Sequence, residues 1–172
     1  MEGREVSRDW PGKDATGSSK RFMVLWPSPS MVHIHDEGSE FDAPLDAIWK
    51  YLEDPAHGLA HKDRRNGERK LLGENTLELS FEQEIDGRWT KGRNRITLFP
   101  PLGYAVELLE GPFAGSKAFT IFTPQGKKTR VTVTGEYVSS TVPPGQVEEN
   151  VLRSLQRIFD EDNEALRQYA SR

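Results

Sequence analysis

The sequence contains no cysteine among its 172 residues. Disulfide bonds, thiolate nucleophiles and cysteine-ligated zinc are therefore excluded together. No apolar run approaches the roughly 20 residues of a membrane-spanning helix. The apolar run at residues 22–26 is also too short for the core of a signal peptide. We therefore expect no membrane span and a cytoplasmic location.

Neither sign of charge is in strong excess, because 23 Lys and Arg residues face 27 Asp and Glu residues, for a formal net charge of −4. Such a chain has no overall attraction to phosphate backbones or anionic lipids, so nucleic acid is not an expected partner. The nucleophile elbow, the phosphate-binding loop, the His-Glu-x-x-His motif and the dinucleotide fingerprint are also missing. Any enzymatic activity would have to arise from residues gathered in a cavity.

Apolar periodicity is nearly absent from residues 1–20, which cannot offset the entropy cost of ordering themselves. We expect a polar N-terminal extension over residues 1–30. Within it, residues 22–26 are either an edge strand or a segment covering the core. The remainder, residues 31–172, has a suitable length for one domain with one core.

The first predicted strand covers residues 31–41. A helix is predicted after it, with Asp42 as its cap, Pro44 in its first turn and an end before Pro55. The basic stretch at residues 61–70 is interpreted as a solvated loop or a short helix. The apolar face of the helix carries Ile48, Trp49 and Leu52.

The apolar period becomes two from residue 76, which is typical of half-buried strands. Turn sequences at residues 86–87, 100–103, 111–115 and 124–127 separate four more strands in a meander, at residues 88–99, 104–110, 116–123 and 129–139. After residues 143–145 the period becomes helical and predicts a helix of about 24 residues, roughly 36 Å long. Its apolar stripe consists of Val147, Val151, Leu152, Leu155, Ile158, Phe159, Ala165, Leu166 and Tyr169.

Several segments carry a resemblance to a known fold. They are residues 41–44 leading to Ile48 and Trp49, the break at residues 109–113, the turn at residues 123–126 before residues 129–131, and the closing amphipathic helix. In this order they resemble the helix-grip fold of the START-like (SRPBCC) superfamily, which includes polyketide cyclases, lipid-transfer proteins and coenzyme Q-binding proteins. The resemblance implies an α+β fold in which a curved antiparallel sheet wraps around a long C-terminal helix, with short helices after the first strand.

Proteins of this kind hold a cavity between the sheet and the helix. The resemblance implies binding or carriage of a hydrophobic small molecule, such as a lipid, polyketide or isoprenoid-like compound. The alternative is a cyclase or dehydratase that uses Tyr137, Gln83 or the pair His33 and His35. A cupin-like metal protein and a partner-binding module rank lower. We expect no cofactor, and a homodimer remains open.

The expected cavity wall follows from the face assignments. Gln83 shares a strand face with Leu79 and Phe81, and its amide would need a polar partner there. Tyr137 shares a face with Val133 and would bring a phenol to the interior. The complete set of expected ligand-binding residues is Trp49, Leu79, Phe81, Gln83, Tyr104, Phe119, Ile121, Val133, Tyr137, Leu155 and Phe159.

The sharpest local pattern is His33, His35 and Glu37, which share one face of the first strand and could bind zinc, iron or manganese. No third histidine accompanies them in the pattern, so we expect no metal. A bulge near Gly38 would turn Ile34 inward, whereas an unbroken strand would add His35 and Glu37 to the cavity.

Two arginines on the fourth strand also have two interpretations. Arg93 and Arg95 share a face with Trp89 and Lys91. They could place a guanidinium beside an acidic ligand or form a basic stripe on the outer face. The sequence favours the outer stripe.

Overall fold

A computed structural model describes residues 30–54, 57, 60–85 and 87–169. The expected N-terminal extension, with its apolar segment at residues 22–26, lies outside these residues except for Ser30. In chain order the elements are β1 (Ser30–Phe41), α1 (Leu45–Glu53), β2 (Arg64–Leu71), β3 (Thr76–Ile85), β4 (Arg88–Phe99), β5 (Gly103–Glu110), β6 (Lys117–Gln125), β7 (Lys128–Ser139) and α2 (Pro144–Tyr169).

The seven strands form one antiparallel sheet in the order β1-β7-β6-β5-β4-β3-β2. Strand β1 pairs with the last strand, β7, and β2 lies at the opposite edge, so the connection through α1 leads from one edge of the sheet to the other. Helix α2, of 26 residues, packs mainly against β1 and β7 and also contacts α1. The predicted α+β helix-grip architecture is confirmed. Neither described helix has a stretch long and apolar enough to span a membrane.

Strand β1 contains the bulge considered from the sequence. Its register against β7 shifts between Glu37 and Ser39, and Gly38 between them has φ of +110°, a conformation that glycine adopts without strain. Ile34 and Phe41 are consequently both buried, whereas His35 is exposed. The bulge therefore keeps the apolar residues before and after it on the inner face.

The interpretation of residues 61–70 as a loop or short helix is wrong, because Arg64–Leu71 is strand β2 at the edge of the sheet. Its residues pair with β3 from Arg64 opposite Gln83 to Leu71 opposite Leu77. All but its first residue are exposed. Charged side chains are common on edge strands, where they discourage pairing with a second chain, so the composition resembled that of a loop.

The start of α1 also differs from the prediction. Pro44 occupies the N-cap position and no side chain caps the helix. Asp42 instead forms ion pairs with Arg167 at 2.7 Å and Lys128 at 3.3 Å. Hydrogen bonds from these two cations hold the pKa of Asp42 below its usual value. Asp42 thus joins α2 and β7 to the end of β1. The end of α1 agrees with the prediction, because the helix stops at Glu53.

Two apolar clusters lie between the sheet and the helices. The first cluster joins the start of α2 to one part of the sheet through Ile34, Ala118, Tyr137, Val147 and Val151. The second cluster lies near the end of α2 and includes α1. Its buried members are Phe41, Ala43, Ile48, Tyr51, Phe122, Val131 and Leu166.

Candidate ligand-binding cavity

The middle of α2 faces a cavity of about 170 Å³ in the inner surface of the sheet. Val151 of the first cluster precedes the lining residues of α2, and Leu166 of the second cluster follows them. The lining residues are Asp36, Ser39, Phe41, Leu52, Tyr104, Thr120, Phe122, Val131, Val133, Leu152, Leu155, Gln156, Ile158, Phe159 and Asp162.

Strand β1 contributes residues on both sides of its bulge to the cavity wall. Asp36 and Ser39 flank the bulge and pair with Val133 and Val131 of β7, which places all four residues on the inner face. On the opposite side of the cavity, Leu152 of α2 is 42% exposed. Because Leu152 also lines the cavity, this exposed aliphatic side chain can pack against an apolar molecule that approaches it.

Two strands contribute a phenol and a hydroxyl to the cavity wall. Tyr104 of β5 lies opposite Thr120 of β6 in the register of the sheet. Burial raises the pKa of Tyr104, and a hydrogen bond with the Thr120 side chain acts in the opposite direction. Tyr104 is therefore a neutral phenol at physiological pH and can donate or accept a hydrogen bond in the cavity.

The third polar part of the wall is Asp162 of α2, which is 9% exposed. The Tyr51 hydroxyl donates a hydrogen bond of 2.8 Å to Asp162 Oδ1. Burial and the neighbouring carboxylates raise the pKa of Tyr51, so it remains a donor. Helix α1 thus fixes the orientation of an acidic group at the cavity wall.

Two histidines lie next to Asp162. His57 Nε2 is 3.3 Å and His61 Nε2 is 3.7 Å from Asp162 Oδ1. His61 Nδ1 is 3.2 Å from Glu161 Oε2. Burial lowers the pKa of His61, although Asp162 and Glu161 act in the opposite direction. The neutral imidazole is the form that the surroundings of His61 favour.

The structure brings four of the eleven expected ligand-binding residues to the cavity wall. They are Tyr104, Val133, Leu155 and Phe159. Trp49 instead contacts Phe122 edge-on, at a ring separation of 5.9 Å, and its indole N–H donates to the Pro101 carbonyl oxygen at 3.3 Å. Trp49 therefore supports the wall from behind.

Gln83, Phe81 and Leu79 lie on the inner face of β3, away from the cavity lining. The Gln83 amide donates to Asp63 Oδ2 at 2.8 Å, so a protein carboxylate supplies the polar partner that its position required. The Arg64 guanidinium lies 4.6 Å from the centre of the Phe81 ring. These contacts anchor β2 to β3.

Tyr137 is buried in the first cluster and does not line the cavity. Its burial raises the pKa of the phenol to about 12. Tyr137 lies opposite Val32 in the pairing of β7 with β1. The expected inward orientation is thus correct, but the side chain packs among apolar residues.

Phe119 and Ile121 were expected at the cavity, and the structure corrects this. They are 51% and 43% exposed, whereas Ala118, Thr120 and Phe122 are buried. Since alternate residues of a strand point to opposite faces, Phe119 and Ile121 lie on the outer face of β6. The strand contains apolar residues on both faces, so composition did not distinguish them.

The remaining polar candidates, on β1 and β4, also lie on the outer face of the sheet. His33 and His35 are exposed, and His35 Nε2 contacts Glu37 Oε1 at 2.8 Å. Arg93 and Arg95 form ion pairs with Glu78 across β3 and β4, at 3.4 and 3.0 Å. The arginines are therefore an outer stripe that acidic residues neutralise.

Sequence reasoning missed Asp162, although the sequence contains a signal for it. Asp162 follows Phe159 by three positions and precedes Leu166 by four. These spacings place it on the apolar stripe of α2, where an acidic residue requires a polar partner. Asp36 could not be assigned, because its face depends on the bulge at Gly38.

No protein-family model matches the sequence, and no curated protein matches it. Comparison with solved structures does find matches, at low sequence identity. The Zhui aromatase/cyclase from Streptomyces sp. R1128 superposes with a TM-score of 0.64 at 17% identity, over 83% of this chain and 94% of that one. Ara h 8.0201 superposes with a TM-score of 0.63 at 14% identity, over 80% and 99% of the two chains.

Norcoclaurine synthase from Thalictrum flavum, in complex with dopamine and hydroxybenzaldehyde, has a TM-score of 0.61 at 17% identity. The match covers 88% of this chain and 95% of that one. These likenesses define the class of the fold, which is the helix-grip fold.

Proposed function

We propose that this protein binds a hydrophobic small molecule in the cavity between α2 and the sheet. The observation that carries the proposal is a partly enclosed cavity with mostly apolar and aromatic walls, and with polar groups at a few positions. Small-molecule sites in proteins commonly have this composition. The solved structures with the same fold support binding of a small molecule in general, without identifying one ligand.

The volume of the cavity limits the ligand. A cavity of about 150 Å³ lined by apolar side chains is known to hold benzene, and this cavity measures about 170 Å³. A molecule with one aromatic ring therefore fits without rearrangement. A lipid, polyketide or isoprenoid-like compound needs roughly 300 Å³ or more, so Leu152 and Gln156 at the α2 side would have to turn away.

The polar groups favour a ligand that donates hydrogen bonds. Asp36 and Asp162 offer carboxylate oxygens to the cavity, and Thr120 offers a hydroxyl. Ionised carboxylates only accept hydrogen bonds. A phenol or an aromatic amine would place its ring among the apolar side chains and its donor at one of these groups.

The cyclase or dehydratase alternative needs an acid or a base beside the ligand. Among the residues that line the cavity, the ionisable ones are Asp36, Tyr104 and Asp162. His33 and His35 are on the outer face and would not reach a ligand there. Catalysis in this cavity would depend on these three groups, of which Asp162 is held in position by Tyr51.

Calorimetric titration with p-cresol, a phenol with one ring, tests the proposal. We expect saturable binding at one site, and a loss of at least about tenfold in Val133→Phe, because the added ring occupies the cavity. Ile121→Phe is the matched control, since Ile121 is on the outer face of the neighbouring strand. The absence of binding to the wild type, or equal binding by the two folded variants, would contradict the proposal.

A further inference from the structure

A second feature lies behind the cavity wall, where His57, His61 and Asp162 converge. Each residue can offer one ligand atom such that the three atoms lie within 4.8 Å of one another. His61 and Asp162 are buried and His57 is partly buried. Two imidazoles and one carboxylate are a common ligand set for first-row transition metals, with the remaining positions open to water or substrate.

Glu161 decides which nitrogen of His61 is available. The Glu161 carboxylate can only accept a hydrogen bond, so His61 Nδ1, at 3.2 Å, must carry the proton. In the neutral imidazole, Nε2 then has a lone pair, and it faces Asp162 Oδ1 at 3.7 Å. Either a proton or a metal ion between these two atoms would satisfy both of them. A carboxylate on the far nitrogen is also the usual partner of a metal-binding histidine.

The other two groups differ in their partners. His57 Nε2 is buried and has no hydrogen-bond partner, although it lies 3.3 Å from Asp162 Oδ1. The Tyr51 hydroxyl donates to that oxygen and fixes the carboxylate. A buried nitrogen without a hydrogen-bond partner destabilises the folded state, and coordination to an ion would remove that cost.

Two of the three separations between ligand atoms are close to those expected around a single ion. Two ligands at 2.0–2.2 Å from one metal ion are about 2.8–3.6 Å apart at tetrahedral or octahedral angles. The separation of His57 Nε2 from Asp162 Oδ1, 3.3 Å, lies within this range. The separation of His61 Nε2 from the same oxygen, 3.7 Å, requires a change of about 0.1 Å or more.

The surrounding charges allow a divalent cation. Glu161 and Asp162 contribute two negative charges beside the histidines. The positive charge of Arg64, which acts on His61, opposes a cation. The charge of a second arginine, Arg157, is balanced by Asp63 at 2.8 Å. We propose that His57, His61 and Asp162 form a binding site for one divalent transition-metal ion, such as zinc or ferrous iron, at the cavity wall.

This proposal goes beyond binding of an organic molecule, although the two sites share Asp162. An ion on Asp162 would lie at the boundary of the cavity, where an oxygen or nitrogen atom of a bound molecule could complete its coordination. Since the metal is tested without any organic ligand, failure of one proposal is distinguishable from failure of the other.

The test is titration of metal-free, full-length protein with Co²⁺, followed by its visible absorption. We expect one equivalent to bind, with displacement by Zn²⁺. His61→Ala and His57→Ala should weaken binding at least about 100-fold, and Glu161→Gln about 10-fold, since Glu161 acts by orienting His61. The control is the double variant His33→Ala/His35→Ala, which loses two exposed imidazoles and should bind as the wild type does.

A measurement on the unaltered protein guards against misfolded variants. Paramagnetic Co²⁺ should shift or broaden the imidazole NMR signals of His57 and His61 and leave those of His33 and His35 sharp. Binding that fails to saturate, that survives in folded His61→Ala, or that affects His33 and His35 instead would overturn the proposal.

Discussion

At the scale of single residues, the interior of this protein contains phenols whose ionisation folding suppresses. Tyr51 and Tyr137 are each 5% exposed. Tyr51 donates to a carboxylate that would repel its phenolate form, and Tyr137 lies among apolar side chains. Both environments disfavour the charged form, one through a neighbouring charge and both through burial.

These phenols predict a loss of stability in alkali. The pKa of Tyr137 is about 12 in the folded protein, against 10.0 for a free phenol. Folding therefore favours the protonated form, and its contribution to stability is complete below pH 10 and declines as the pH rises toward about 12. Tyr51 acts in the same direction. At pH 11 unfolding by guanidinium should increase phenolate absorbance, and the increase should be smaller in Tyr137→Phe. Equal absorbance of the folded and unfolded wild type at pH 11 would disprove this.

Single residues also show where sequence reasoning fails. Inward and outward side chains alternate along β6, but both faces of the strand contain apolar or aromatic residues. The sequence therefore does not show which face is buried, and it predicts the wrong face for Phe119. The sequence predicts that Gln83 needs a polar partner and places Gln83 among the ligand-binding residues. In the structure the partner is the side chain of Asp63. That contact joins β3 to the segment before β2, and no local pattern contains it.

At the scale of the elements, the strands β3 to β7 and helix α2 follow from the sequence within a few residues, because their apolar periods are regular. Strand β2 does not, since its stability comes from pairing with β3 at an exposed edge. Strand β1 is intermediate. Its location was predicted, whereas its register depends on one glycine at a bulge.

Deletion of Gly38 tests the role of that bulge. Without the extra residue, Glu37 and Ser39 become neighbours and can keep their partners Thr132 and Val131. Ile34 and Phe41 are then an even number of positions apart, so both stay on the inner face of a regular strand. We expect the deletion to cost no more than about 1 kcal/mol in the free energy of unfolding by urea, because no apolar side chain leaves the inner face and no imidazole enters it.

The matched control is Gly38→Ala, which keeps the register and adds only the strain of a side chain at φ of +110°. It should cost about 1–2 kcal/mol. A deletion that costs clearly more than this substitution would show that the pairing of β1 with β7 depends on the extra residue itself.

At the scale of the whole molecule, the cavity results from the way that one long helix crosses a curved sheet. The helix packs closely through Val147 and Val151 near its start and through Leu166 near its end. Between these contacts the sheet and the helix are held apart, and large side chains such as Phe159 only partly fill the space. The fold resemblance predicted a cavity in this place, but its size and most of its wall depend on the curvature of the sheet.

Methyl NMR of the isotope-labelled, full-length protein tests the central claim, that the space under α2 is a binding site. On saturation with p-cresol, the methyl signals of Val131, Val133, Leu155 and Ile158 should shift, because these residues line the cavity. The signals of Leu71, Leu102 and Ile121 should remain in place, because these side chains are exposed elsewhere. Shifts confined to the exposed methyl groups, or no shifts at all, would contradict the account.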